Sequence, residues 1–142
     1  MSADRFLDTN LFIYQLEAAD ERKSAIADRI IREGVETGNA CISYQVVQEC
    51  LNTVLRKAEV PLDSAGARVY LDNVLAPLLK VSASAGLYHR ALDVQGRYRY
   101  GFYDSLIIAA ALEAGCKRLL SEDLQHGQAI DGLVIENPFR GG

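Results

Sequence analysis

The chain has 142 residues, of which 49% are hydrophobic and 24% charged, and its formal net charge is −4. These values are ordinary for a soluble globular protein and predict a single domain over residues 1–142, without the overall basic charge of a typical nucleic-acid-binding protein. No apolar run reaches the ~18 residues that span a bilayer. Asp8 and Asn10 interrupt the apolar stretch near the N-terminus, which argues against a signal peptide and favours a cytoplasmic protein.

The N-terminal part of the chain predicts a strand followed by two helices. Arg5–Thr9 is a short apolar run typical of a buried strand, and Asn10 is a candidate N-cap for a helix that ends near Leu16. Apolar residues on one face predict a longer helix over Asp20–Glu33, with Gly34 as its stop. A strand end therefore lies beside a helix start.

A second strand and two more helices follow. Asn39–Ile42 is the predicted strand, and Ser43 then caps a helix that runs to about Ala58. Pro61 precedes a predicted helix over Leu62–Leu75, because proline is favoured at helix starts. The order of strand and helix is thus repeated.

The last part of the chain continues this alternation. Its predicted elements are a strand at Leu79–Val81, a helix from Ser82 or Ser84 to about Gln95, a helix at Tyr103–Ala114, and strands at Arg118–Leu120 and Leu133–Ile135. Strands that alternate with helices imply a mainly parallel sheet covered on both faces. The sequence predicts an α/β fold with four to five short strands.

The three cysteines give no sign of a metal site. Cys41, Cys50 and Cys116 lack a CxxC spacing and have no histidine nearby in the sequence, which argues against structural zinc. Small buried hydrophobic side chains in a reducing compartment explain all three.

Three aspartates occupy similar places in the predicted elements. Asp8 interrupts an apolar run at the end of the first strand, Asp104 opens a helix, and Asp123 lies just past another strand. We place all three at strand-to-helix edges, which a parallel sheet gathers along one rim. A single such acid only favours the helix dipole by ~0.3–1 kcal/mol, but three at one rim indicate a site.

Glu49 is not supported by periodicity. It falls nearly opposite the centre of the apolar stripe of its helix, among polar residues, so the pattern alone predicts a solvated side chain. The stripe consists of Val46, Val47, Cys50, Leu51, Val54 and Leu55.

Four segments together resemble a known family. They are residues 6–10 (Phe-Leu-Asp-Thr-Asn), Glu49 in the helix after the second strand, residues 103–111 (Tyr-Asp-Ser-Leu-Ile-Ile-Ala-Ala-Ala) and residues 119–123 (Leu-Leu-Ser-Glu-Asp). In this order they resemble the PIN-domain family, and within it the VapC-type ribonuclease toxins of bacterial toxin–antitoxin pairs. Each motif alone is weak, whereas four in family order cover nearly the whole chain.

The resemblance implies a PIN-like three-layer fold and metal-dependent cleavage of RNA, with a metal-activated water hydrolysing the phosphodiester. It also implies a homodimer and a small antitoxin partner. The residues that match the four acids of the family are Asp8, Glu49, Asp104 and Asp123, and the supporting polar positions are Asn10 and Ser121. Glu122 competes with its neighbour as fourth acid, and the family pattern Ser/Thr-x-Asp favours Asp123.

The chemistry of such a cluster calls for a hard cation. Gathered carboxylates repel one another, and oxygen ligands without histidine or thiolate select Mg²⁺ or Mn²⁺ rather than zinc. On this hypothesis Asp8 and Asp104 are the main ligands, and Asp123 holds the same or a second metal ion. Glu49 orients water or supports the ligands.

Substrate contacts are predicted just before the third acid. Arg97 and Arg99 alternate with aromatic residues, and Tyr103 adjoins Asp104. Cations that grip a backbone and rings that stack on a splayed base are typical of RNA binding. The same pattern also fits a solvated helix end with aromatic core anchors.

Two other classes of protein remain open at this point. One is another Mg²⁺-dependent α/β phosphohydrolase, such as a haloacid-dehalogenase-like phosphatase, although that class expects a second aspartate where this chain has Asn10. The other is a catalytically silent PIN-like module that binds RNA or a partner protein. The intact acids argue against the silent module.

Overall fold

A computed structural model describes residues 3–17, 19–56 and 62–141. The strands in these ranges are β1 (Arg5–Leu7), β2 (Ala40–Ser43), β3 (Leu79–Val81), β4 (Arg118–Leu120), β5 (Ala129–Ile130) and β6 (Leu133–Glu136). They form one sheet in the order β3-β2-β1-β4-β6-β5, parallel throughout except for the β5–β6 pair. The mainly parallel α/β sheet is confirmed, with the short β5 added to the five predicted strands.

Helices flank the sheet on both faces. They are α1 (Thr9–Leu16), α2 (Glu21–Thr37), α3 (Tyr44–Arg56), α4 (Ser64–Tyr70), α5 (Ala76–Leu78), α6 (Ala85–Tyr98) and α7 (Phe102–Glu113), with a π-helical turn at Leu71–Leu75 between α4 and α5. In the described ranges, no helix combines the length and the hydropathy needed to cross a membrane.

The central strand β1 anchors the core. Phe6 pairs with Cys41 of β2 on one side and with Leu119 of β4 on the other, and all three side chains are fully buried. Because β1 has a neighbour on each side and helices over both faces, the residues that follow Arg5 in this strand, Phe6 and Leu7, are apolar and fully buried. The first polar residue after the strand, Asp8, therefore appears where the sheet ends.

The start of α1 differs from the prediction. Asp8, not Asn10, is the N-cap: its backbone is extended and its Oδ1 accepts a hydrogen bond from Thr9 N at 2.7 Å. Asn10 already lies within the first turn of the helix. A carboxylate satisfies the free amide groups of a first turn as well as an asparagine does, so local propensity could not separate the two residues.

The end of α2 also differs. Gly34 does not stop this helix, which continues to Thr37 and ends at Gly38 in the left-handed conformation, with φ 77°. Gly34 is buried, and a Cβ added there would lie 2.7 Å from the Cβ of Ala40. Gly34 is thus required for close packing of α2 against β2, while Gly38 makes the turn.

The start of α3 corrects a third predicted cap. Ser43 ends β2, and its buried Oγ has no hydrogen-bond partner among the described residues, so it does not cap α3 through its side chain. The predicted helix end at Ala58 and the Pro61 that precedes the next predicted helix lie outside the described residues. That next helix, predicted from Leu62, begins at Ser64 with Asp63 as its N-cap.

The connection before α7 corrects the predicted position of Asp104. We expected this residue at a strand-to-helix edge, but α7 follows α6 after a short turn in which Arg99 has φ 60°. The two helices pack side by side, and Asp104 lies in the first turn of α7. A helix–helix turn, rather than a strand, delivers this acid to the rim of the sheet.

Candidate active site

One cleft lies where β1 and β4 end and α1, α3 and α7 meet. It has a volume of about 490 Å³. The residues that line it are Asp8, Thr9, Asn10, Ile13, Tyr14, Glu17, Gln45, Glu49, Asn52, Thr53, Asp104, Ile107, Glu122 and Asp123. Six of them are acidic, and no lysine or arginine belongs to this lining in the part of the chain that the structure describes. The cleft is therefore strongly electronegative.

Asp8 lies deepest of the acids and is 8% exposed. The pKa of this carboxyl is raised to about 6, chiefly by burial and with smaller contributions from the nearby Glu49 and Asp123 carboxylates. Hydrogen bonds from Ser121 and Thr9 oppose the shift but do not cancel it. An uncompensated negative charge of this kind is costly unless a cation approaches it.

Ser121 connects two of the acids. Its Oγ donates to Asp8 Oδ2 at 2.6 Å and accepts a hydrogen bond from Asp123 N at 3.2 Å. The residue is fully buried at the end of β4, so its hydroxyl holds a fixed position. The supporting role of Ser121 stays a prediction, and these two hydrogen bonds are its structural basis.

Glu49 lies in the same cleft and is half-buried, so its predicted exposure to solvent is wrong. Thr9 Oγ1 donates to Glu49 Oε1 at 2.7 Å, and Gln45 Nε2 donates to Glu49 Oε2 at 3.3 Å. Gln45 is itself buried and also donates to Tyr103 O at 3.2 Å. A contact from α1, together with Gln45, which is held against α7, thus fixes a residue that the periodicity of its own helix predicts to be solvent-exposed.

Asp104 is the more open partner of this group. Partial desolvation in the cleft raises the pKa of its carboxyl, and the Asp123 and Glu49 carboxylates add to the shift. Since the charges of Glu49 and Asp123 also act on Asp8, the four predicted acids share one electrostatic environment.

Glu122 has a different set of partners from Asp123. It accepts hydrogen bonds from Lys23 Nζ and from the Tyr14 hydroxyl, each at 2.5 Å. Although partial burial opposes the change, these two bonds lower the pKa of Glu122. Its charge is already compensated by Lys23, whereas Asp123 borders the cleft beside Asp8 and Asp104. The geometry favours Asp123 as the fourth acid.

The donor set fits a divalent metal ion such as Mg²⁺. Both polar atoms of the Asn10 amide are buried and have no hydrogen-bond partner among the described residues, and Asn10 lines the cleft. In residues 3–17, 19–56 and 62–141, no three acidic, histidine or cysteine side chains are close enough to hold a metal as they stand. Mg²⁺ needs only one or two protein carboxylates and retains several waters, which an unsatisfied amide can bind.

A sequence model of one family matches this chain. The model describes the PIN domain and covers residues 5–129, which include all four acids of the cleft. The chain belongs to the PIN domain family. No curated protein matches it in sequence.

Several solved structures share the fold of this PIN domain. DNA-bound VapBC from Salmonella typhimurium has a TM-score of 0.67 at 18% identity, with 96% of this chain and 98% of that chain covered. VapBC2 from Rickettsia felis, bound to a promoter DNA fragment, has a TM-score of 0.67 at 16% identity and coverages of 94% and 97%. Mycobacterium tuberculosis VapC20, described as a Sarcin-Ricin loop cleaving toxin, has a TM-score of 0.60 at 20% identity and coverages of 84% and 89%.

The predicted substrate contacts are dispersed in this PIN domain. Arg97 donates to Asp131 at 3.0 Å, and Arg99 makes the turn before α7. Neither arginine belongs to the cleft lining. Tyr103 is 67% exposed next to Asp104 and packs edge-on against Phe102, but it does not belong to the cleft lining either. Their part in substrate binding stays a prediction.

Four polar residues that contact the acids of the cleft were not predicted from the sequence, and three of them, Thr9, Gln45 and Tyr14, line the cleft. Thr9 and Gln45 hold Glu49, and Tyr14 with Lys23 holds Glu122. Only Gln45 carried a local signal, because a residue four positions before Glu49 lies on the same helix face. The others depend on contacts between elements that are distant in sequence.

Proposed function

We propose that this PIN domain is a metal-dependent endoribonuclease and the toxin of a type II toxin–antitoxin pair. The observation that carries the proposal is the convergence of Asp8, Glu49, Asp104 and Asp123 on one cleft whose described lining contains no basic residue. Such a cleft repels a phosphodiester until a cation neutralises it. The cation that suits an all-oxygen donor set is Mg²⁺ or Mn²⁺.

Each acid has a distinct role in the proposal. Asp8 and Asp104 hold the metal, and Asp123 holds the same ion or a second one. Glu49, fixed by Thr9 and Gln45, orients the attacking water. When bound, the metal ion supplies charge neutralisation and lowers the pKa of that water.

Ser121 and Asn10 act on these acids rather than on the substrate. Ser121 donates to Asp8 Oδ2, which orients the carboxylate and leaves its remaining acceptor capacity directed at the cleft. Asn10 offers a buried amide to a water or a phosphate oxygen. Tyr103, and less directly Arg97 and Arg99, contribute to binding of the RNA strand.

The proposed partners follow from the relatives. The VapBC structures and a toxin–antitoxin complex from Klebsiella pneumoniae share this fold, and VapC20 is described as cleaving the Sarcin-Ricin loop. From these relatives we propose that this chain cleaves RNA, binds a small antitoxin and forms a homodimer. A cytoplasmic location fits these partners.

The decisive experiment measures cleavage of mixed cellular RNA by the purified protein in Mg²⁺ or Mn²⁺, beside an EDTA control. We expect metal-dependent cleavage that Asp8→Asn and Asp104→Asn each abolish. Asp72→Asn is the matched control, because Asp72 is an exposed aspartate that does not belong to the cleft lining. Near-parental activity in both cleft variants would refute the assignment of the site.

The same assay separates the alternatives. RNA that is retained in a binding assay but not cut in any metal indicates a silent RNA-binding module. Phosphate release from a small phosphomonoester without RNA cleavage indicates another phosphohydrolase.

The partner proposals need separate measurements. Co-expression with the protein encoded immediately upstream should give a stable complex that suppresses RNA cleavage. Light scattering on the isolated chain should give twice the mass of the 15.6 kDa protomer. A monomer at micromolar concentration would contradict the dimer without affecting the nuclease proposal.

A further inference from the structure

Two of the three cysteines meet in the core, far apart in sequence. Cys41 belongs to β2, and Cys116 lies between α7 and β4. Their Sγ atoms are 3.5 Å apart, although 75 residues separate them in the chain. Both side chains are buried, and neither belongs to the lining of the acidic cleft. The nuclease chemistry gives this thiol pair no role.

The surroundings of Cys41 favour oxidation. The hydrogen bond from the Cys116 thiol and the positive charge of Lys80 lower the pKa of Cys41, although its burial opposes this change. A second cleft, of about 460 Å³, includes Cys41 and Lys80 in its lining. Cys41 is fully buried and Cys116 is 6% exposed, so oxidation of this pair would require an oxidant close to water in size.

The third cysteine provides an internal comparison. Cys50 is buried in α3, where burial alone raises the pKa of its thiol to about 12. A thiol with such a pKa holds very little of the reactive thiolate at neutral pH. Cys50 therefore serves as a packing residue, whereas Cys41 has both an activating charge and a second sulfur in contact.

We propose that Cys41 and Cys116 are an oxidation site, which a small hydroperoxide converts into a reversible intramolecular disulfide. The Cys41 thiolate attacks a peroxide oxygen, the O–O bond breaks, and a sulfenic acid forms with release of hydroxide. The Cys116 sulfur then attacks the Cys41 sulfur, the S–O bond breaks, and the second hydroxide leaves with the thiol proton as water. Overall, two thiols and one hydrogen peroxide give one disulfide and two waters, and two electrons pass from sulfur to oxygen.

The bond would tie β2 to the segment that leads into β4, on the two sides of β1. Cys41 pairs with Phe6 of β1, and Lys117, next to Cys116, donates its backbone amide to Asp4 O just before β1. A cross-link that closes so long a loop restricts the unfolded chain far more than the folded one. We expect the oxidised protein to resist unfolding better than the reduced protein.

The test uses the full chain treated with hydrogen peroxide and then with catalase. Free thiols titrated under denaturing conditions should fall from three to one, and dithiothreitol should restore them. Peptide mass spectrometry should find residues 41 and 116 linked within one chain. The midpoint of thermal unfolding should rise by several degrees on oxidation, as expected for a stabilising cross-link in a domain of this size.

Cysteine variants give matched controls. Cys50→Ala should still form the link, while Cys41→Ala and Cys116→Ala should not. If either of the latter variants fails to fold, the mapping on the unmodified chain decides the question. Sulfinic acid at Cys41, a link that involves Cys50 or a second molecule, or an unfolding midpoint that does not rise would each overturn the proposal.

Discussion

The side chain of Asp8 has three roles in the structure. It caps α1 through Thr9 N, accepts a hydrogen bond from Ser121, and faces the acidic cleft while nearly fully buried. The cap and the hydrogen bond stabilise the carboxylate, but burial dominates and raises its pKa to about 6. At neutral pH the folded protein therefore buries an ionised carboxylate, although the surroundings of this side chain favour its neutral form.

Asp8→Asn should stabilise the metal-free protein at neutral pH. Between the ordinary pKa of 3.8 and the folded value of about 6, the folded state holds more protons, so the free energy of unfolding falls as pH rises through this window. The neutral variant avoids this loss, which we expect to be worth about 1–3 kcal/mol above pH 7 and little near pH 4. Chemical denaturation in EDTA at both pH values measures the difference.

The control for this prediction is Asp63→Asn, which changes an exposed cap of α4 whose carboxylate accepts from Gly66 N at 2.7 Å. This variant removes the charge of a capping residue that is not buried, so it relieves no burial cost. Equal stabilisation of both variants at neutral pH, or none in Asp8→Asn, would contradict the burial cost.

The adjacent acids Glu122 and Asp123 offer the sharpest comparison at single positions. Asp123→Asn should reduce metal-dependent RNA cleavage about tenfold or more, because it removes a charge that acts on Asp8 and Asp104. Glu122→Gln removes a charge that Lys23 already compensates and should retain most of the activity. Initial rates at saturating Mg²⁺ test both, and a reversed order would assign the fourth acid to Glu122.

Packing between elements depends on Gly34 in α2. The helix needs this position to approach β2, since any Cβ there meets the Cβ of Ala40. A glycine inside a helix costs conformational entropy, so here close packing outweighs helix propensity. Gly96 in α6 shows the opposite case, because nothing lies within 4 Å of a Cβ added there.

Gly34→Ala and Gly96→Ala should therefore change stability in opposite directions. The first should destabilise the protein by about 1–3 kcal/mol through overpacking. The second should stabilise it by roughly 0.5–1 kcal/mol through better helix propensity. Urea denaturation of the two variants beside the parent protein measures both, and stabilisation by Gly34→Ala would show that α2 and β2 separate easily.

The same elements show what the sequence could predict. Strands β1, β2, β4 and β6 each contain a short apolar run, which appears directly in the pattern, whereas β3 has Lys80 at its centre. The predicted end of α2 was wrong because Gly34 is required for packing against β2. A local sequence pattern carries no information about that strand. Helix periodicity placed Glu49 in solvent because Thr9, which encloses it, comes from a helix 40 residues earlier.

At the scale of the whole molecule, the topology of the strands and helices brings the four acids together. Parallel pairing puts the ends of β1 and β4 side by side, which brings Asp8 and Asp123 to one rim. Asp104 arrives through the α6–α7 turn and Glu49 through α3. The three aspartates thus line one cleft, although one of them, Asp104, reaches it by a different route from the predicted one.

Metal binding should stabilise the whole fold, independently of any RNA. An ion that binds only the folded state raises the free energy of unfolding with its concentration, by about 2.7 kcal/mol at 100 times its Kd. The unfolding temperature of the parent protein should therefore rise as Mg²⁺ or Mn²⁺ is added. The double variant Asp8→Asn/Asp104→Asn should show no such rise, and an equal rise in both proteins would place the ion elsewhere.

Because the described lining of the cleft has no lysine or arginine, we expect the metal-free protein to reverse the usual salt dependence of RNA binding. Most RNA-binding proteins lose affinity in salt, because basic side chains gain from releasing the counterions of the phosphates. At this cleft the metal-free protein meets RNA with like charge, and ions that shorten the screening length to about 10 Å at 0.1 M weaken that repulsion. Salt should hence ease the encounter of apo-protein and RNA, and only the metal-loaded cleft should show the usual decline.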